Sequence, residues 1–600
     1  MNQLTGTRRS FLKSLGLGIA FLGLGGCEGV LSYAAGPVLS KKRHLERKDK
    51  PNVIIVLTDD QGYGDLSCHG NPILKTPNLD KLHQESIRFT DFHVAPMCTP
   101  TRGQLLTGRD AMANGATFVC MGRSMIRNDL PTMADIFASN GYHTGHFGKW
   151  HLGDSYPHRP QDRGFLETIH HGAWGITSIA DYFGNDYWDD TYRHNHQLEE
   201  YQGYCTEVWF DEAMKYMKTR HAKKEPFFVY LPTNCPHSPH WVDDKYSEPY
   251  RQQGLDQKTA KFFGQIANID ENMGRLLTML DRTGIAENTL LIYMTDNGTV
   301  AGHNVFNAGM RGRKTELWEG GHRVPCFMRW PAGNLGKPRD IDVLSQCQDI
   351  LPTLTDLCHL EAPNSMVTDG ISLAGLLRKK EKTVGDRMLV VRYGPDGRAK
   401  WECAVLWNKW RLVKGEQLYD VSTDPHQDKD IAAKHPDIAA AMRKHYEQWW
   451  AKTIPQFEQP RYIHLGSEEA NLVMLYSSDW KGSYADNFKN LSEGNQIGYW
   501  DVLVERKGEY KVTLSRWHPS TDNALDAPIQ GPQGKGKAVP IAKARIKVGN
   551  VDISQPSVTG QKEVSFSLHL EAGKIQLSTW FYDKDGKELC SAYYTLAERR

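Results

Sequence analysis

One short stretch of the chain combines a nucleophile-type residue, a proline and two arginines. It reads Cys-Thr-Pro-Thr-Arg-Gly-Gln-Leu-Leu-Thr-Gly-Arg, from Cys98 to Arg109. Proline is tolerated in the first turn of a helix, so the spacing predicts a helix that begins at or just after Pro100. Cys98 then lies at the N-terminus of that helix, where backbone N–H groups and the helix dipole favour an anion. Arg102 is expected one turn further on, facing the same anion, and the stretch predicts a site for a tetrahedral oxyanion.

Three apolar runs of the kind found in strands buried on both faces of a parallel sheet occur along the chain. They are Asn52–Leu57, Phe227–Leu231 and Leu290–Met294. Each run is followed by polar residues, which include Asp59, Asp60, His237, His240, Asp296 and Asn297. Open α/β sheets build their sites at the carboxyl ends of their strands, so we expect these clusters to be neighbours in space.

The residues after the first and third runs are suited to a metal ion. Asp59, Asp60, Asp296 and Asn297 offer hard oxygen donors, and no His or Cys is interleaved with them. That composition suits Ca²⁺ or Mg²⁺ better than zinc. A single adjacent Asp pair is more often a turn or a cap. Two acidic pairs that each close a buried strand, in a chain that also has the Cys98 stretch, favour the metal site.

The stretch from Cys98 to Arg109 resembles the signature of type I sulfatases of the alkaline phosphatase superfamily, in which the Cys is converted after translation to Cα-formylglycine. Two further motifs of that family follow in order. One is Gly-Lys-Trp-His-Leu-Gly at 148–153, and the other is the Lys314-containing box at 311–325. The segment 304–310 lacks the proline of the commonest form, so we expect the loop before Lys314 to differ. The resemblance is close over about residues 51–375 and loose beyond them.

The resemblance implies a sulfuric ester hydrolase in which a formylglycine hydrate attacks sulfur and later expels sulfate. The implied catalytic residues are Cys98, Arg102, Lys149, His151, His237 and Lys314. In this interpretation His151 is the base of the elimination, while His237 and Lys314 contact the sulfate and protonate the leaving oxygen. Arg102 positions the formylglycine, and Arg109 is structural.

The resemblance also implies a divalent cation, usually Ca²⁺, with Mg²⁺ as the alternative. Its ligands would be Asp59, Asp60, Asp296, Asn297 and the modified Cys98. The implied partner in maturation is a formylglycine-generating enzyme. In the site, Ca²⁺, Arg102, Lys149 and Lys314 would neutralise the sulfate ester before attack.

A segment rich in aromatic and polar residues, 170–194, is a candidate for the substrate site. Aromatic rings that stack on pyranose faces, beside groups that bind hydroxyls, line many sugar subsites. The candidate substrate residues are His171, Trp174, Asp190, Arg193, His194 and His240. These residues favour a sulfated carbohydrate substrate. The alternative interpretation is a hydrophobic loop packed on the sheet.

The N-terminal segment 1–35 predicts export. Arg8-Arg9 precede an apolar, Gly-rich run, 15–26, that is too short to span a bilayer, as in twin-arginine signals. The run ends in Leu-Gly-Gly-Cys27, which resembles a lipoprotein processing box. Ordinary cleavage near Ala34-Ala35 is the alternative. We therefore expect the twin-arginine machinery as a partner and a periplasmic or outer-surface location in a bacterium, with Cys27 as a lipid anchor and no other membrane contact.

Length and composition limit the classes of protein to which the chain can belong. A chain of 600 residues with 40% hydrophobic content supports several domains, and its net charge of +1 leaves no electrostatic footprint for nucleic acid. Eleven cysteines are too few for a dense disulfide framework. With Cys27 and Cys98 set aside an odd number remains, so at least one thiol is unpaired.

The predicted fold class is α/β, with a large mixed sheet flanked by helices as in alkaline phosphatase, a small α+β C-terminal subdomain and an extra all-β region. The predicted domains are a signal segment at 1–35, a charged linker at 36–50, a catalytic domain at 51–380, the C-terminal subdomain at 381–458 and a β-sandwich-like domain at 459–600. Within the subdomain we expect a helix at 437–451 and a linker at 455–460. The β-sandwich could be a carbohydrate-binding module or a structural wall.

Two other functions fit part of the pattern. An arylsulfatase, or a phosphate or phosphonate ester hydrolase of the same superfamily, would share the metal donors, Cys98 and the basic residues. A sulfoglycan-binding protein with an unmodified Cys98 would bind without turnover. The complete set of catalytic residues argues against binding alone.

Overall fold

The computed structural model describes residues 50–394, 397–532 and 534–600. The predicted export signal, including Cys27, and the charged linker up to residue 49 lie outside the described residues. Within the described ranges, none of the helices combines the length and the apolar composition that a bilayer crossing needs. All ten cysteines of these ranges are free thiols.

A ten-stranded mixed sheet forms the centre of the catalytic region. Its five central strands are parallel, and its outer pairs are mostly antiparallel. In spatial order the strands are Arg339–Ile341, Ile87–Phe89, Cys326–Arg329, Thr289–Thr295, Asn52–Thr58, Phe227–Pro232, His143–Lys149, Glu167–His171, Thr191–His194 and Gln197–Glu200. The three strands expected from apolar runs lie side by side, so the predicted α/β fold with a large mixed sheet is confirmed.

Helices cover both faces of this sheet. Alternate residues of the central strand point to opposite faces, with Val53 and Ile55 in one hydrophobic cluster and Ile54 and Val56 in another. An apolar stripe that includes Phe262, Ile266 and Met273 is buried on the longest of the helices, Gln257–Arg282. The helices of the region are Pro77–Glu85, Cys98–Thr107, Ala111–Asn114, Met133–Ser139, Cys205–Ala222, Asp244–Arg251, Gln257–Arg282, Glu319–His322, Ile350–Leu357 and Ala374–Leu377.

A four-stranded antiparallel sheet and one helix follow the main sheet. The strands are Met388–Arg392, Cys403–Trp407, Trp410–Val413 and Gln417–Asp420. The helix, Pro436–Phe457, runs past the predicted end at residue 451 and takes in Pro455. A proline in the last turn removes a single hydrogen bond, and Trp450 and Thr453 are buried, so packing outweighs that loss. The segment 455–460 is therefore partly helix rather than a linker.

The C-terminal region is mainly β, as expected, with one short helix, Phe488–Glu493, and most of its strands form two packed sheets. One contains Ile463–Leu465, Gly498–Val504, Gly573–Tyr582, Lys543–Val548 and Val551–Pro556, and the other contains Leu472–Tyr476, Tyr594–Arg599, Gly508–Ser515 and Val564–Leu570. Side chains of both sheets form one cluster, which also includes Met125, Ala173, Ile179 and Ala180 of the catalytic region. The β region is thus packed onto the catalytic region.

A buried ion pair ties the four-stranded sheet to the catalytic region. Arg411, on the strand Trp410–Val413, donates Nε to Glu319 Oε1 at 2.7 Å and Nη2 to Asp91 Oδ1 at 2.8 Å. The Arg411 side chain is 1% exposed. Removal of one partner of such a pair leaves a buried charge uncompensated.

We predict that Arg411→Ala lowers the free energy of unfolding by about 3–5 kcal/mol, because Glu319 and Asp91 lose their shared cation. The measurement is thermal unfolding at a fixed scan rate and protein concentration. Lys409→Ala is the matched control, since Lys409 pairs with Asp420 at the surface of the same hairpin, and its expected cost is about 0–1 kcal/mol. Equal losses in the two variants would contradict the assignment.

Candidate active site

The polar residues after three parallel strands meet at one edge of the main sheet. Thr58 is in register with Thr295, and Leu57 with Pro232, so the three chains leave the sheet together. Just beyond, the backbone N–H of Asp296 donates to Thr58 O at 3.0 Å, and that of Asp59 donates to Cys235 O at 3.3 Å. The two acidic pairs and the His237 loop are therefore neighbours in space, as expected.

The helix Cys98–Thr107 begins two residues before the predicted position, at Cys98 itself. Pro100 is its third residue, where a missing N–H has no intrahelical partner to lose. All ten residues of the helix are buried. Cys98 is therefore the first helical residue, so it lies at the N-terminus of the helix as expected, and it is buried beside the strand ends.

Four oxygen-bearing side chains surround the Cys98 thiol, and all are at most 1% exposed: Asp59, Asp60, Asp296 and Asn297. Ligand atoms of Asp59, Asp296 and Cys98 lie within 4.8 Å of one another. Asp59 Oδ1 and Asn297 Oδ1 are buried with no hydrogen-bond partner. Buried oxygens are rarely left unpaired, and hard oxygen donors of this kind suit Ca²⁺ or Mg²⁺. The donor set fits the predicted divalent cation.

Two lysines face the acidic groups. Lys149, the last residue of its strand, donates Nζ to Asp59 Oδ2. Lys314 Nζ lies 2.5 Å from Asp60 Oδ1. Burial by itself would lower the pKa of Lys314, but the charge of Asp60 raises it above its usual value. Burial likewise acts to raise the pKa of Asp60, but Lys314 and His237 hold it well below its usual range. Both groups are therefore charged.

Arg102 differs from the expectation that it faces a bound anion. Its Nε and Nη2 donate to Asp296 Oδ2 at 3.1 and 2.7 Å, and its Nη1 donates to Lys149 O at 3.0 Å. Burial and the charge of Asp59 raise the pKa of Asp296 to about 6, and Arg102 opposes that rise. The guanidinium donates its hydrogen bonds to the buried Asp296 carboxylate and to the carbonyl at the end of the Lys149 strand. Arg102 therefore links the helix at Cys98 to two strand ends.

His151 faces Cys98. Its Nδ1 lies 3.4 Å from Cys98 Sγ, and its Nε2 lies 3.0 Å from Val119 O. A carbonyl can only accept, so Nε2 carries the proton and the Nδ1 lone pair points to residue 98. Burial, aided by Lys149, lowers the pKa of His151 well below its usual value. The ring is thus neutral and ready to take a proton from residue 98.

His237 lies on the other side of the acidic groups. Its Nδ1–H donates to Ser238 O at 2.6 Å, and its Nε2 is 3.7 Å from Asp60 Oδ2. Burial, opposed by Asp60, lowers the pKa of His237 to about 3. In the neutral ring the proton is on Nδ1, so Nε2 must be protonated as well before it can donate. A bound anionic group beside it would favour that proton.

The thiol of Cys98 is not poised as a thiolate. Burial raises the pKa of Cys98, although Lys149 and Lys314 act in the opposite direction. Nucleophilic cysteines have lowered pKa values. The site therefore has the field for an anion but no ready sulfur nucleophile.

Three of the six candidate substrate residues lie near the catalytic groups. The Trp174 ring is 5.3 Å from that of His237. His171 is in register with Lys149 on the adjacent strand, and its buried Nε2 has no partner. His240 bonds Gln265 Oε1 at 3.0 Å through Nδ1, and its Nε2 is also buried without a partner.

The other three have partners within the protein. Arg193 donates to Ala180 O and, at 2.8 Å, to Tyr476 OH of the β region. His194 lies 2.7 Å from both Glu167 and Glu199. Asp190 Oδ1 accepts the backbone N–H of Asp186 at 3.0 Å. These contacts explain all three residues as supports of the segment 180–200, and their role in binding substrate stays a prediction.

Sequence reasoning missed a second group around Cys98. Phe118, Val119 and Cys120 form a buried cluster with Cys98, against which Tyr393 of the four-stranded sheet packs. The Val119 contribution is a backbone carbonyl, which no side-chain pattern reveals. Tyr393 is almost 300 positions from Cys98 in the sequence, so only the tertiary structure could bring it here.

The chain matches known proteins over the region that holds this site. A family model described as Sulfatase matches residues 51–360, a little over half of the chain. An N-acetylgalactosamine-6-sulfatase of Rattus norvegicus is 26% identical over 413 residues, which span 63% of this chain and 77% of the relative. An ulvan-active sulfatase of Formosa agariphila is 26% identical over 446 residues, spanning 68% of this chain and 82% of the relative.

The fold is also shared with a solved structure, that of Ps i-CgsB in complex with k-i-k-neocarrahexaose. The two superpose with a TM-score of 0.62 at 24% sequence identity, over 69% of this chain and 95% of that chain. The predicted alkaline-phosphatase-like architecture is confirmed. Family match and fold together show that the chain belongs to the type I sulfatase family of the alkaline phosphatase superfamily and is a sulfuric ester hydrolase.

Proposed function

We propose that this hydrolase removes sulfate from sulfated poly- or oligosaccharides, with Cys98 converted to formylglycine and a Ca²⁺ ion beside it. One observation supports this most strongly. Around Cys98 the fold buries three carboxylates with three cations, and it leaves oxygens of Asp59 and Asn297 without partners. The carbohydrate substrate is supported by the relatives named for N-acetylgalactosamine 6-sulfate and for ulvan.

Formylglycine at position 98 would replace an inert thiol. Its hydrate supplies one hydroxyl that attacks sulfur and displaces the alcohol, and a second hydroxyl whose deprotonation expels sulfate and restores the aldehyde. Burial raises the pKa of the Cys98 thiol, so the hydrate would supply a nucleophile that the unmodified thiol does not.

The residues of the chain have separable roles in this proposal. His151 Nδ1, 3.4 Å from the residue-98 side chain, takes the proton of the second hydroxyl. Its tautomer is fixed because Nε2–H is given to Val119 O. Lys149 supplies positive charge from below the strand edge, and Arg102 keeps Asp296 in place. The nucleophile and its base are thus preorganised before substrate arrives.

The leaving oxygen requires a proton donor, and Lys314 is the group already charged. Its ammonium has three N–H donors and contacts Asp60 through Nζ. His237 Nε2 can join it once the anionic ester favours the doubly protonated ring. Lys314 Nζ lies beside Asp60 Oδ1 and His237 Nε2 beside Asp60 Oδ2, so a sulfate bound next to this carboxylate would face two donors.

The divalent ion would be held by Asp59, Asp60, Asp296, Asn297 and residue 98. When bound, it neutralises the ester and acidifies oxygen atoms beside it. All the protein donors other than residue 98 are oxygens, which favours Ca²⁺ or Mg²⁺ over zinc.

We also propose that the chain is exported through the twin-arginine route to the periplasm or outer surface of a bacterium, with a lipid on Cys27. That route moves folded chains, so the cytoplasm would be the place for the formylglycine-generating enzyme to act. Mass analysis of the mature N-terminus in protein from the native host tests the lipid. A start near residue 35 would show cleavage without an anchor.

The conversion of Cys98 predicts a mass change in the tryptic peptide 89–102. Protein from the native host should give a peptide lighter by about 18 Da than the Cys form, because a thiol has become an aldehyde. The same peptide from Cys98→Ala protein is the control for assignment of the fragment. A fully exported protein with an unmodified Cys98 would contradict the mechanism and favour the binding-only alternative.

The metal site predicts a stability effect that does not depend on turnover. Ca²⁺ at about 100 times its Kd should raise the free energy of unfolding of the metal-free protein by about 2.7 kcal/mol, seen as a higher melting temperature. Asp59→Asn should abolish most of this gain, because it removes a charged oxygen donor from the site. Asp552→Asn, which alters an exposed carboxylate of the β region, should retain it. The same gain in both variants would exclude this site.

The substrate class predicts sulfate release from sugars. We expect the enzyme to release sulfate from ulvan oligosaccharides or from N-acetylgalactosamine 6-sulfate, and to cleave an aryl sulfate faster than the matching aryl phosphate. Ion chromatography of released sulfate and phosphate is the measurement. Lys314→Ala should lower kcat on sulfate esters by about 10²–10³, as expected when one preorganised donor is lost. Faster release of phosphate would establish the phosphate ester hydrolase instead.

A further inference from the structure

A segment of the β region, Trp480–Asn487, reaches the loops around the active site. Trp174 Nε1 donates to Asp486 O at 2.9 Å, and the Ile179 N–H donates to the same carbonyl at 3.1 Å. Ser178 forms an isolated antiparallel bridge with Asn487. The loop that places Trp174 beside His237 is therefore fastened to the β region, not to the main sheet alone.

The same segment contacts a second loop, 117–125. The Phe118 ring meets the Tyr484 ring edge-on, with centroids 6.1 Å apart. Asp479, which directly precedes this segment, accepts a hydrogen bond from Ser124 Oγ at its Oδ1 at 3.3 Å. This second loop supplies Val119 O, the acceptor for His151 Nε2. The β region thus supports the surroundings of both histidines.

Tyr484 is unusual among the residues of this contact, because its side chain remains 38% exposed. Phe118, which Tyr484 contacts, is only 6% exposed and belongs to the same buried cluster as Cys98. The Tyr393 ring stacks on Phe118 at 5.7 Å, and the Arg123 guanidinium lies 4.9 Å from the same ring. A partly exposed aromatic ring therefore contacts the buried cluster that contains Cys98.

Such a ring suits one class of ligand. Aromatic rings bind the apolar faces of pyranoses. If Tyr484 served only to support the fold, its full burial would stabilise the protein more, because a partly exposed tyrosine buries only part of its apolar area. The exposed face is explained if it receives a sugar ring.

We propose that Tyr484 is a sugar-binding platform of the active site, contributed by the β region, for a monosaccharide adjoining the one that bears the scissile sulfate. This rests on the proposed function, since it takes the substrate to be a sulfated carbohydrate. It assigns the β region a part in substrate recognition at the catalytic centre itself, in place of a separate carbohydrate-binding module. Tyr484 does not take part in the chemical step.

The experiment compares a large and a small substrate in the same variants. Tyr484→Ala should lower kcat/KM for sulfated ulvan oligosaccharides by about 10-fold, mainly through KM, because a stacking surface is lost. It should leave kcat/KM for an aryl sulfate unchanged, since a small ester does not reach Tyr484. Tyr484→Phe keeps the ring and should restore the oligosaccharide value. Trp580→Ala, which deletes a half-buried aromatic elsewhere in the β region, is the matched control and should change neither.

Each other outcome overturns the proposal. Equal losses on both substrates would show that Tyr484 merely supports the loop behind His151, and thermal melting of the variants would register the same loss of support. No change on either substrate would show that no sugar contacts the ring. If wild-type protein cleaves the aryl sulfate but no sugar, the carbohydrate function fails and the platform with it. Cleavage of sugars with an unaffected Tyr484→Ala variant refutes the platform alone.

Discussion

The site depends on one constraint: the negative charges of its buried carboxylates must be balanced by cations. Asp59, Asp60 and Asp296 are all at most 1% exposed, and carboxylates are stable there only beside cations. Lys149, Lys314 and Arg102 provide those cations, each from a different element of the fold. The main sheet, its helix at Cys98 and the loop of Lys314 must therefore assemble together. Asp59 Oδ1 and Asn297 Oδ1 remain without a hydrogen-bond partner, as expected if these oxygens bind the proposed divalent cation.

Burial also separates the roles of groups that look alike in the sequence. Arg102 and Lys314 are both cations beside carboxylates, yet Arg102 is enclosed between Asp296 and a strand end, whereas Lys314 remains at the open side. The histidines differ in the same way. His151 is fixed as a base by the Val119 carbonyl, while His237 depends on the charge of whatever binds beside it. Environment, not residue type, assigns the chemistry.

The C-terminal β region also supports the site. Its core is continuous with residues of the catalytic region such as Ile179, and Tyr594 OH donates to Ile179 O at 2.9 Å. The loops that hold Trp174 and Val119 therefore depend on a β region whose first strand begins only at Ile463, far along the chain from both. Long connections of this kind are stable because packing of the two hydrophobic surfaces outweighs the small added entropy of a longer loop.

The sequence by itself determined the fold class, the three central strands and the helix at Cys98, because continuous apolar runs and a cysteine, proline and arginine at fixed spacing are local signals. It also named the three carboxylates and three cations that the structure brings together beside Cys98. It missed strands such as His143–Lys149, whose glycines and histidines form no apolar run. Only the tertiary structure decided that Arg102 pairs with Asp296, that a backbone carbonyl orients His151, and that Tyr484 lies near Cys98. Those facts depend on which distant segments pack together. Side-chain periodicity predicts which residues are buried, but not which segment they pack against.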